Sequence, residues 1–366
     1  MQRLKLPAPA PAAVLAVGAF LKNRACLLQG DELLWSPPHG DLATPAACRA
    51  LDDSIAALLA AAGEPVAAIA HDLHPDFPCT HAAADWAARL GVPARALQHH
   101  HAHLGVVMAE QGWRGDERLL GWALDGVGLG SDGTAWGAEL LTVYRGGFER
   151  RAHLAPLRLP GGDAAAREPW RVAAAVLHAL GRGREIVPRF GPAAGEALAA
   201  GVATLLERGL RCPLSSAAGR WFDAASAALG LAPRQQAEAE AAIALERAAT
   251  LWLEVHPMPP LPEPALDLHA LVGTLFDDAD AGNPGRGAAR FHGALAAALV
   301  HAARQAGATR LLLAGGCWNN RLLSRLVVEG CRAQGIETRR PQAVDCGDAG
   351  LALGQAWLVA HQLETR

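Results

Sequence analysis

The sequence predicts an α/β protein with two lobes of similar design and a helical insertion in the second lobe. Short apolar runs bounded by Gly, Asn or Pro alternate with helix patterns, which favours helices layered on largely parallel sheets. A strand meander followed by βα units occurs twice along the chain, which indicates a duplicated architecture. The length of 366 residues also fits two lobes, at roughly 100–200 residues per domain.

The first lobe is predicted over residues 13–118, after a flexible Pro/Ala-rich tail at residues 1–12. Apolar runs of four to six residues predict its strands, and longer runs with helical spacing predict its helices. In order, the predicted elements are strands at 14–19, 25–28 and 32–35, a helix at 46–62, a strand at 66–70, a helix at 81–90, a strand at 94–97 and a helix at 99–110.

The second lobe is predicted over residues 119–366. A strand at 119–124 leads into a Gly/Asp turn at 125–133, and further strands are expected at 136–144 and 151–157. The pattern from 164 to about 253 is almost wholly helical and forms the insertion, while 256–286 is expected to be a surface loop around a short helix. The last predicted elements are a helix at 288–305, a strand at 310–313, a helix at 320–334, a strand at 336–339 and a helix at 349–361.

Composition excludes several classes of function. The chain has 33 Lys+Arg against 36 Asp+Glu, so it lacks the basic excess that binds a nucleic-acid backbone. It has only two lysines, which disfavours Schiff-base and Walker-type chemistry because both require a lysine. No apolar run reaches the ~18 residues that span a bilayer, and the N-terminus lacks the apolar core of a signal peptide. The seven cysteines are scattered and predict reduced thiols. We therefore expect a cytoplasmic protein without a nucleic-acid or membrane partner.

The most informative motif is QHHHAH at residues 98–103. If this segment is helical, His99 and His103 lie four residues apart on one face, where a single metal ion can bind both imidazoles. A polar cluster or a cap at a helix start is the alternative. His100 and His101 point elsewhere on such a helix, toward a second layer of the site, a substrate or the surface.

Three further motifs lie at ends of predicted elements. The Gly-rich run that begins at Asp125 lets the backbone approach a phosphate and places Asp125 as a metal ligand, or it is an ordinary hairpin. The AGGCWNNR run at 314–321 is either a turn whose paired glycines let a base or a phosphate pack against the backbone, or an ordinary tight turn. Its Cys317 has no identifiable base and is a poor candidate nucleophile. Asp348 is either a helix cap or a metal ligand.

Taken together and in this order, the motifs resemble the C-terminal region of the HypF family, the carbamoyltransferases of NiFe-hydrogenase maturation. The resemblance covers nearly the whole chain and implies a duplicated fold of the actin/Hsp70/sugar-kinase (ASKHA) superfamily, which TsaD-type threonylcarbamoyl transferases share. The matching segments are GAFLKN (18–23), HGDL (39–42), DLHPDF (72–77), QHHHAH (98–103), DGVGLGSDGTAWGAE (125–139), LPGGDAAAREPWR (159–171), SSAAGRWFD (215–223), AGGCWNNRLL (314–323) and GDAGLALGQA (347–356).

The resemblance implies one Zn or Fe ion held by His99, His103, Asp125 and Asp348, of which the first three would be catalytic. The ion would hold a phosphate and polarise the carbamoyl group as a Lewis acid. The family also implies a site for ATP, AMP or carbamoyl-adenylate with Mg. The residues that would form it are Gly130, Asp132, Gly133, Glu238 (on the ribose), Gly315, Gly316 and Asn320.

The implied reaction transfers the carbamoyl group of carbamoyl-adenylate, made from carbamoyl phosphate and ATP, to the C-terminal cysteine of HypE for cyanide-ligand synthesis. Two alternatives stay open: a TsaD-like or small-molecule carbamoyltransferase, and a non-catalytic protein that docks HypE. The TsaD family uses a tyrosine as third ligand, and Tyr144 lies too far along the chain to replace Asp125.

Some features depart from the family pattern. The 366 residues contain no acylphosphatase, zinc-finger or YrdC-like domain, so they are a natural short form or part of a longer protein, and the source of carbamoyl-adenylate stays open. Phe20, Ala239 and Ala349 differ from the residues expected around the nucleotide.

Overall fold

Two mixed β-sheets account for the fold of the computed structural model, which describes residues 1–363. Residues 364–366 of the predicted second lobe lie outside the described range. The strands of the first sheet are β1 Gln2–Lys5, β2 Val14–Ala16, β3 Cys26–Gln29, β4 Glu32–Trp35, β5 Ala68–Asp72 and β6 Ala94–Leu97. The strands of the second sheet are β7 Leu119–Leu129, β8 Ala135–Tyr144, β9 Gly147–His153, β10 Leu157–Arg158, β11 Leu214–Ser215, β12 Arg310–Ala314 and β13 Glu337–Arg339.

Thirteen α-helices are found in the described part of the chain. They are α1 Pro45–Ala60, α2 Pro78–Leu90, α3 His99–Glu110, α4 Ala164–Arg167, α5 Pro169–Ala179, α6 Ile186–Ala194, α7 Glu196–Arg208, α8 Ala218–Ala228, α9 Glu240–Leu253, α10 His269–Asp280, α11 Pro284–Gln305, α12 Arg321–Ala333 and α13 Leu351–Leu363. None of them is both long and apolar enough to cross a bilayer.

The two sheets repeat one topology, which confirms the predicted duplication. The first contains the order β4-β3-β2-β5-β6 and the second the order β9-β8-β7-β12-β13. In each, the first three strands form an antiparallel meander and the next two continue it in parallel. The two-lobe architecture that the ASKHA resemblance implies is therefore present.

Helices α3 and α13 form a layer between the sheets, and the central strands of both sheets are buried on both faces. Along β2, Val14 and Ala16 pack toward α3 and α13, while Leu15 packs toward α1 and α2. Along β12, Leu312 joins the central core and Leu311 joins the core under the helices of the insertion. Strands buried on both faces show nearly continuous apolar runs, which is why these segments were recognisable in the sequence.

Several boundaries differ from the predictions. Gln2–Lys5, within the tail predicted to be flexible, pairs with β4, because its extended backbone completes the edge of the first sheet. Strand β7 continues through the predicted turn to Leu129, so that the turn spans only residues 130–134. Within the predicted helical insertion, Leu214–Ser215 pairs with β8 and β10. The predicted surface loop contains the helix His269–Asp280. Helix α13, predicted in the second lobe, packs on β2, β3 and β5 of the first.

The crossing of α3 and α13 depends on Gly354. A Cβ atom on Gly354 would overlap the carbonyl oxygen of Ala102, and a Cβ on Gly105 would lie 2.8 Å from Leu358. Because backbone cannot yield as a flexible side chain does, we expect Gly354→Ala to lower the free energy of unfolding by about 1–3 kcal/mol in guanidinium denaturation. Gly201→Ala is the control, since Gly201 is an exposed position within α7 with nothing within 4 Å of its Cβ site. Equal stability of the two variants would contradict the prediction.

Candidate metal centre

Four buried or nearly buried side chains converge at the N-terminal end of α3. The Nε2 atom of His99 lies 3.1 Å from Nε2 of His103 and 3.1 Å from Oδ2 of Asp125. Oδ1 of Asp348 lies 3.4 Å from the Nε2 atoms of both histidines. One potential ligand atom from each residue lies within 4.8 Å of the others. The structure thus brings together all four residues that the sequence predicted as metal ligands.

Each ligand is positioned by a different element. Gln98 caps α3, with its Oε1 accepting the His101 N–H at 2.9 Å, and the helix then presents His99 and His103 one turn apart. Asp125 lies where the register between β7 and β8 shifts, and such bulges often re-aim a side chain next to an active site. Its Oδ1 accepts the Gly316 N–H at 3.2 Å, which leaves Oδ2 facing the histidines. Asp348 opens the 3₁₀ turn that precedes α13.

Asp72 is a site residue that the sequence analysis did not assign. At the end of β5, its Oδ2 accepts a hydrogen bond from Nδ1 of His99 at 2.7 Å, and its Oδ1 accepts the His74 N–H at 2.9 Å. A carboxylate on Nδ1 orients Nε2 of His99 toward the other ligands. The sequence feature that could have indicated this role is the position of Asp72 in the DLHPDF segment at the end of a strand, 27 residues before His99.

The charges of the cluster balance one another. Burial lowers the pKa of His99, but the charges of Asp72 and Asp348 and a hydrogen bond that the ring donates to Asp125 raise it well above its usual value. Burial raises the pKa of Asp125, but hydrogen bonds and charges from His103 and His99 hold it well below its usual value. The raised pKa of His99 favours positive charge among these carboxylates. A set of two imidazoles and two carboxylates fits Zn or Fe.

The predicted nucleotide residues fall into separate groups. Gly130, Asp132 and Gly133 form the tip of the β7–β8 hairpin, where the Gly130 N–H donates to the Thr134 carbonyl. Oδ1 of Asp132 accepts hydrogen bonds from the backbone and hydroxyl of Thr134 at 2.9 and 2.7 Å and from the Trp136 indole at 3.0 Å. This carboxylate oxygen therefore braces the turn.

A second group lies at the end of β12. The Gly315 N–H donates to the Cys346 carbonyl at 2.8 Å, which joins this turn to the loop that carries Asp348. Asn320 uses its Oδ1 to cap α12 through the Leu323 N–H, and its Nδ2 donates to Nε2 of His292 at 3.0 Å. Its amide has a structural role in this conformation.

Glu238 pairs with Lys22 of the first lobe at 3.0 Å. Lys22 has a φ of 45° and Ala239, which follows Glu238, a φ of 60°, so each side of the bridge includes a backbone conformation rare outside glycine. The Lys22 N–H donates to Asp41 at 2.9 Å, which holds the first of them. Contact of Glu238 with a ribose would require this ion pair to open.

Comparison with known proteins decides the family. A model described as the HypF Kae1-like domain matches residues 9–110, and one described as the carbamoyltransferase, Kae1-like domain, second subdomain matches residues 121–355, which is more than half of the chain. The chain belongs to the HypF carbamoyltransferase family. A HypF homologue from Cupriavidus necator is 54% identical over 99% of this chain and 95% of its own length.

Other HypF proteins are longer. The Rhodobacter capsulatus HypF is 40% identical over 96% of this chain, which spans 47% of that protein. Full-length HypF in its phosphate- and nucleotide-bound form superposes with a TM-score of 0.85 at 29% identity, covering 99% of this chain and 48% of that one. The T. kodakarensis HypF gives a TM-score of 0.89 at 28% identity, with 99% and 49% covered. The chain thus spans nearly all of one curated relative and about half the length of these others.

Removal of the Asp72 carboxylate tests its role in holding His99. We expect Asp72→Asn to weaken Zn²⁺ binding by about 10–100-fold, because an amide holds the Nδ1–H of His99 less firmly than a carboxylate. Competition with a chromophoric chelator measures the affinity. The control Asp76→Asn changes an exposed carboxylate in the same turn and should bind Zn²⁺ like the unaltered protein. Equal affinities of the two variants would rule out this role for Asp72.

Metal binding should release protons. Burial lowers the pKa of His99 and of His103, but the neighbouring carboxylates outweigh it and raise both, so a metal must displace bound protons near neutral pH. We expect Zn²⁺ affinity to fall as the pH is lowered and the calorimetric heat to depend on the ionisation enthalpy of the buffer. Asp72→Asn removes one cause of the shift and should release fewer protons. A heat of Zn²⁺ binding that does not depend on the buffer at neutral pH would contradict the expected release of protons.

Proposed function

We propose that this chain transfers the carbamoyl group of carbamoyl-adenylate to the C-terminal cysteine thiol of HypE, the step that supplies the cyanide ligand in hydrogenase maturation. The observation that carries the proposal is the convergence of His99, His103, Asp125 and Asp348 in a member of the HypF family. Carbamoyl phosphate and ATP would be the source of the donor.

The four convergent residues would hold a Zn or Fe ion, which when bound supplies Lewis-acid polarisation of a substrate oxygen. The chain contributes rigidity to this site. Asp72 orients His99, and the Gly316 N–H fixes one oxygen of Asp125. Both contacts hold the ligand atoms in place before substrate binds, which lowers the reorganisation needed during the reaction.

Glycines beside the ligands support a nucleotide phosphate site. Gly126 and Gly133 have nothing within 4 Å of their Cβ positions, and at Gly316 only Oδ1 of Asp125 lies within that distance. Backbone without side chains leaves room for a phosphate or a base close to the main chain. We assign this open strip, together with Gly130, Asp132 and Gly315, to the adenylate and its Mg ion, and Glu238 to the ribose once Lys22 has released it.

The nucleophile in this scheme comes from the partner. Burial raises the pKa of Cys317 above its usual value and that of Cys346 to about 11, so both remain thiols at neutral pH. The HypE thiolate would attack the carbamoyl carbon, a C–S bond would form, and the bond to the adenylate oxygen would break to release AMP. The tRNA-modifying alternative is less favoured, since Tyr144 lies at the opposite end of β8 from the residues that pair near Asp125.

The transfer is tested directly with HypE, Zn²⁺, carbamoyl phosphate, ATP and a YrdC-like domain that makes carbamoyl-adenylate. We expect mass spectrometry to find a carbamoyl adduct on the terminal cysteine of HypE. His99→Ala and His103→Ala should lower the rate at least about 100-fold, because losing a ligand costs no less than losing an outer partner. The control is His301→Ala, an exposed position on α11. No adduct with metal-loaded protein, under conditions where full-length HypF produces one, would refute the proposal.

A further inference from the structure

We propose that His100 is a further catalytic residue, whose neutral imidazole donates a hydrogen bond from Nε2–H to the carbamoyl oxygen of the bound donor. This inference rests on the proposed carbamoyl transfer and assigns to that site a contact with the reacting group. Three features of the structure support it: a fixed tautomer, a buried donor without an acceptor, and the position of the ring.

Gln98 fixes the tautomer of His100. Oε1 of Gln98 accepts the His101 N–H at 2.9 Å, and its Nε2 donates to the Leu129 carbonyl at 3.1 Å, so the amide orientation is determined at both ends. The same amide nitrogen donates to Nδ1 of His100 at 2.9 Å. Because Nδ1 is the acceptor, the ring proton of the neutral imidazole lies on Nε2.

That proton has no acceptor within the described residues. The side chain of His100 is 0% exposed, and Nε2 finds no hydrogen-bond partner among residues 1–363. Most buried polar atoms in proteins are paired, so an orphaned donor calls for an explanation, and a ligand that completes the hydrogen bond is one. His101 also has an orphaned Nε2, but its ring packs on Phe148 at 5.1 Å between centroids, away from the ligand cluster.

The ring of His100 lies beside that of His99 and against β7, the strand that carries Asp125. It is edge-on to His99, with 5.4 Å between ring centroids and an angle of 69°. A Cβ on Gly128 would lie 2.8 Å from Cε1 of His100 and 2.9 Å from Cβ and Cδ2 of His99, so only glycine lets β7 approach both rings. Gly128 follows Asp125 along β7, and neighbouring Val127 is 56% exposed. A donor molecule bound at the four convergent residues would therefore lie close to the ring of His100.

The chemistry of transfer gives this donor a purpose. When the thiolate adds to the carbamoyl carbon, the carbonyl oxygen gains negative charge, and a hydrogen bond to it is stronger in the transition state than in the ground state. The electron pair returns from this oxygen as AMP leaves, so His100 neither loses nor gains a proton. A neutral donor with a fixed tautomer fits that role.

Two substitutions separate the donor from the rest of the ring. Gln places an amide N–H near the position of Nε2, whereas Asn reaches only the position of Nδ1 and keeps the acceptor for Gln98. We expect His100→Asn to lower kcat by about 100–1000-fold with little change in KM, and His100→Gln to lower it less. His101→Asn is the matched control and should retain most of the kcat. Elemental analysis should find wild-type zinc content in all three variants.

An NMR experiment on histidine labelled with ¹⁵N tests the tautomer without any activity measurement. We expect a protonated Nε2 and an unprotonated Nδ1 for His100 in the zinc-loaded protein, assigned by the loss of that signal in His100→Gln. The opposite tautomer, loss of zinc from His100→Asn, or a His100→Asn variant as active as His101→Asn would each overturn the inference. Absence of transfer by the wild-type protein would instead refute the proposed function, while the NMR result would still report on the ring.

Discussion

The close crossing of α3 and α13 is the constraint on which the rest of the site depends. Ligands His99 and His103 lie on the first helix, and Asp348 directly precedes the second, so the distance between the helices sets the distance between the ligands. Gly354 permits this approach, since a side chain there would overlap the backbone of α3. At its far end α3 also anchors the chain that leads to Asp348, because the carboxylate of Glu110 accepts the N–H groups of residues 342–344.

The duplicated topology places different residues at equivalent positions of the two halves. Helices α3 and α13 follow equivalent strands, β6 and β13. The fifth residue of each helix contacts the equivalent strand of its partner meander, β7 or β2, or the residues just beyond it. In α3 this residue is His103, which faces Asp125 on β7. In α13 it is Gln355, whose amide bonds to both backbone groups of Gly18, just beyond β2. Equivalent positions therefore carry a candidate metal ligand in one half and a side chain that bonds to the backbone in the other.

Local patterns in the sequence predicted most elements and all four residues of the ligand cluster. The prediction of His99 and His103 required only that their segment be helical, and the prediction of Asp125 required only that a strand precede it. Both predictions therefore depended on short-range periodicity. Local patterns could not predict contacts between distant segments. Asp72 bonds to His99 across 27 residues, and Lys22 pairs with Glu238 across 216. Pairing of this kind depends on sheet register and helix packing, which apolar periodicity alone does not specify. The edge strand Gln2–Lys5 was missed for the same reason, because its partner β4 defines it.

The apolar core sets the geometry of the four candidate ligands. Asp125 extends from a strand buried on both faces, and both histidines belong to a helix buried between two sheets. In the absence of an ion, the raised pKa of His99 keeps positive charge among the carboxylates, so their mutual repulsion is offset. Because the fold already brings these side chains together, the proposed metal would replace protons in an existing site. Binding to such a site costs less conformational entropy than binding that must organise its own ligands.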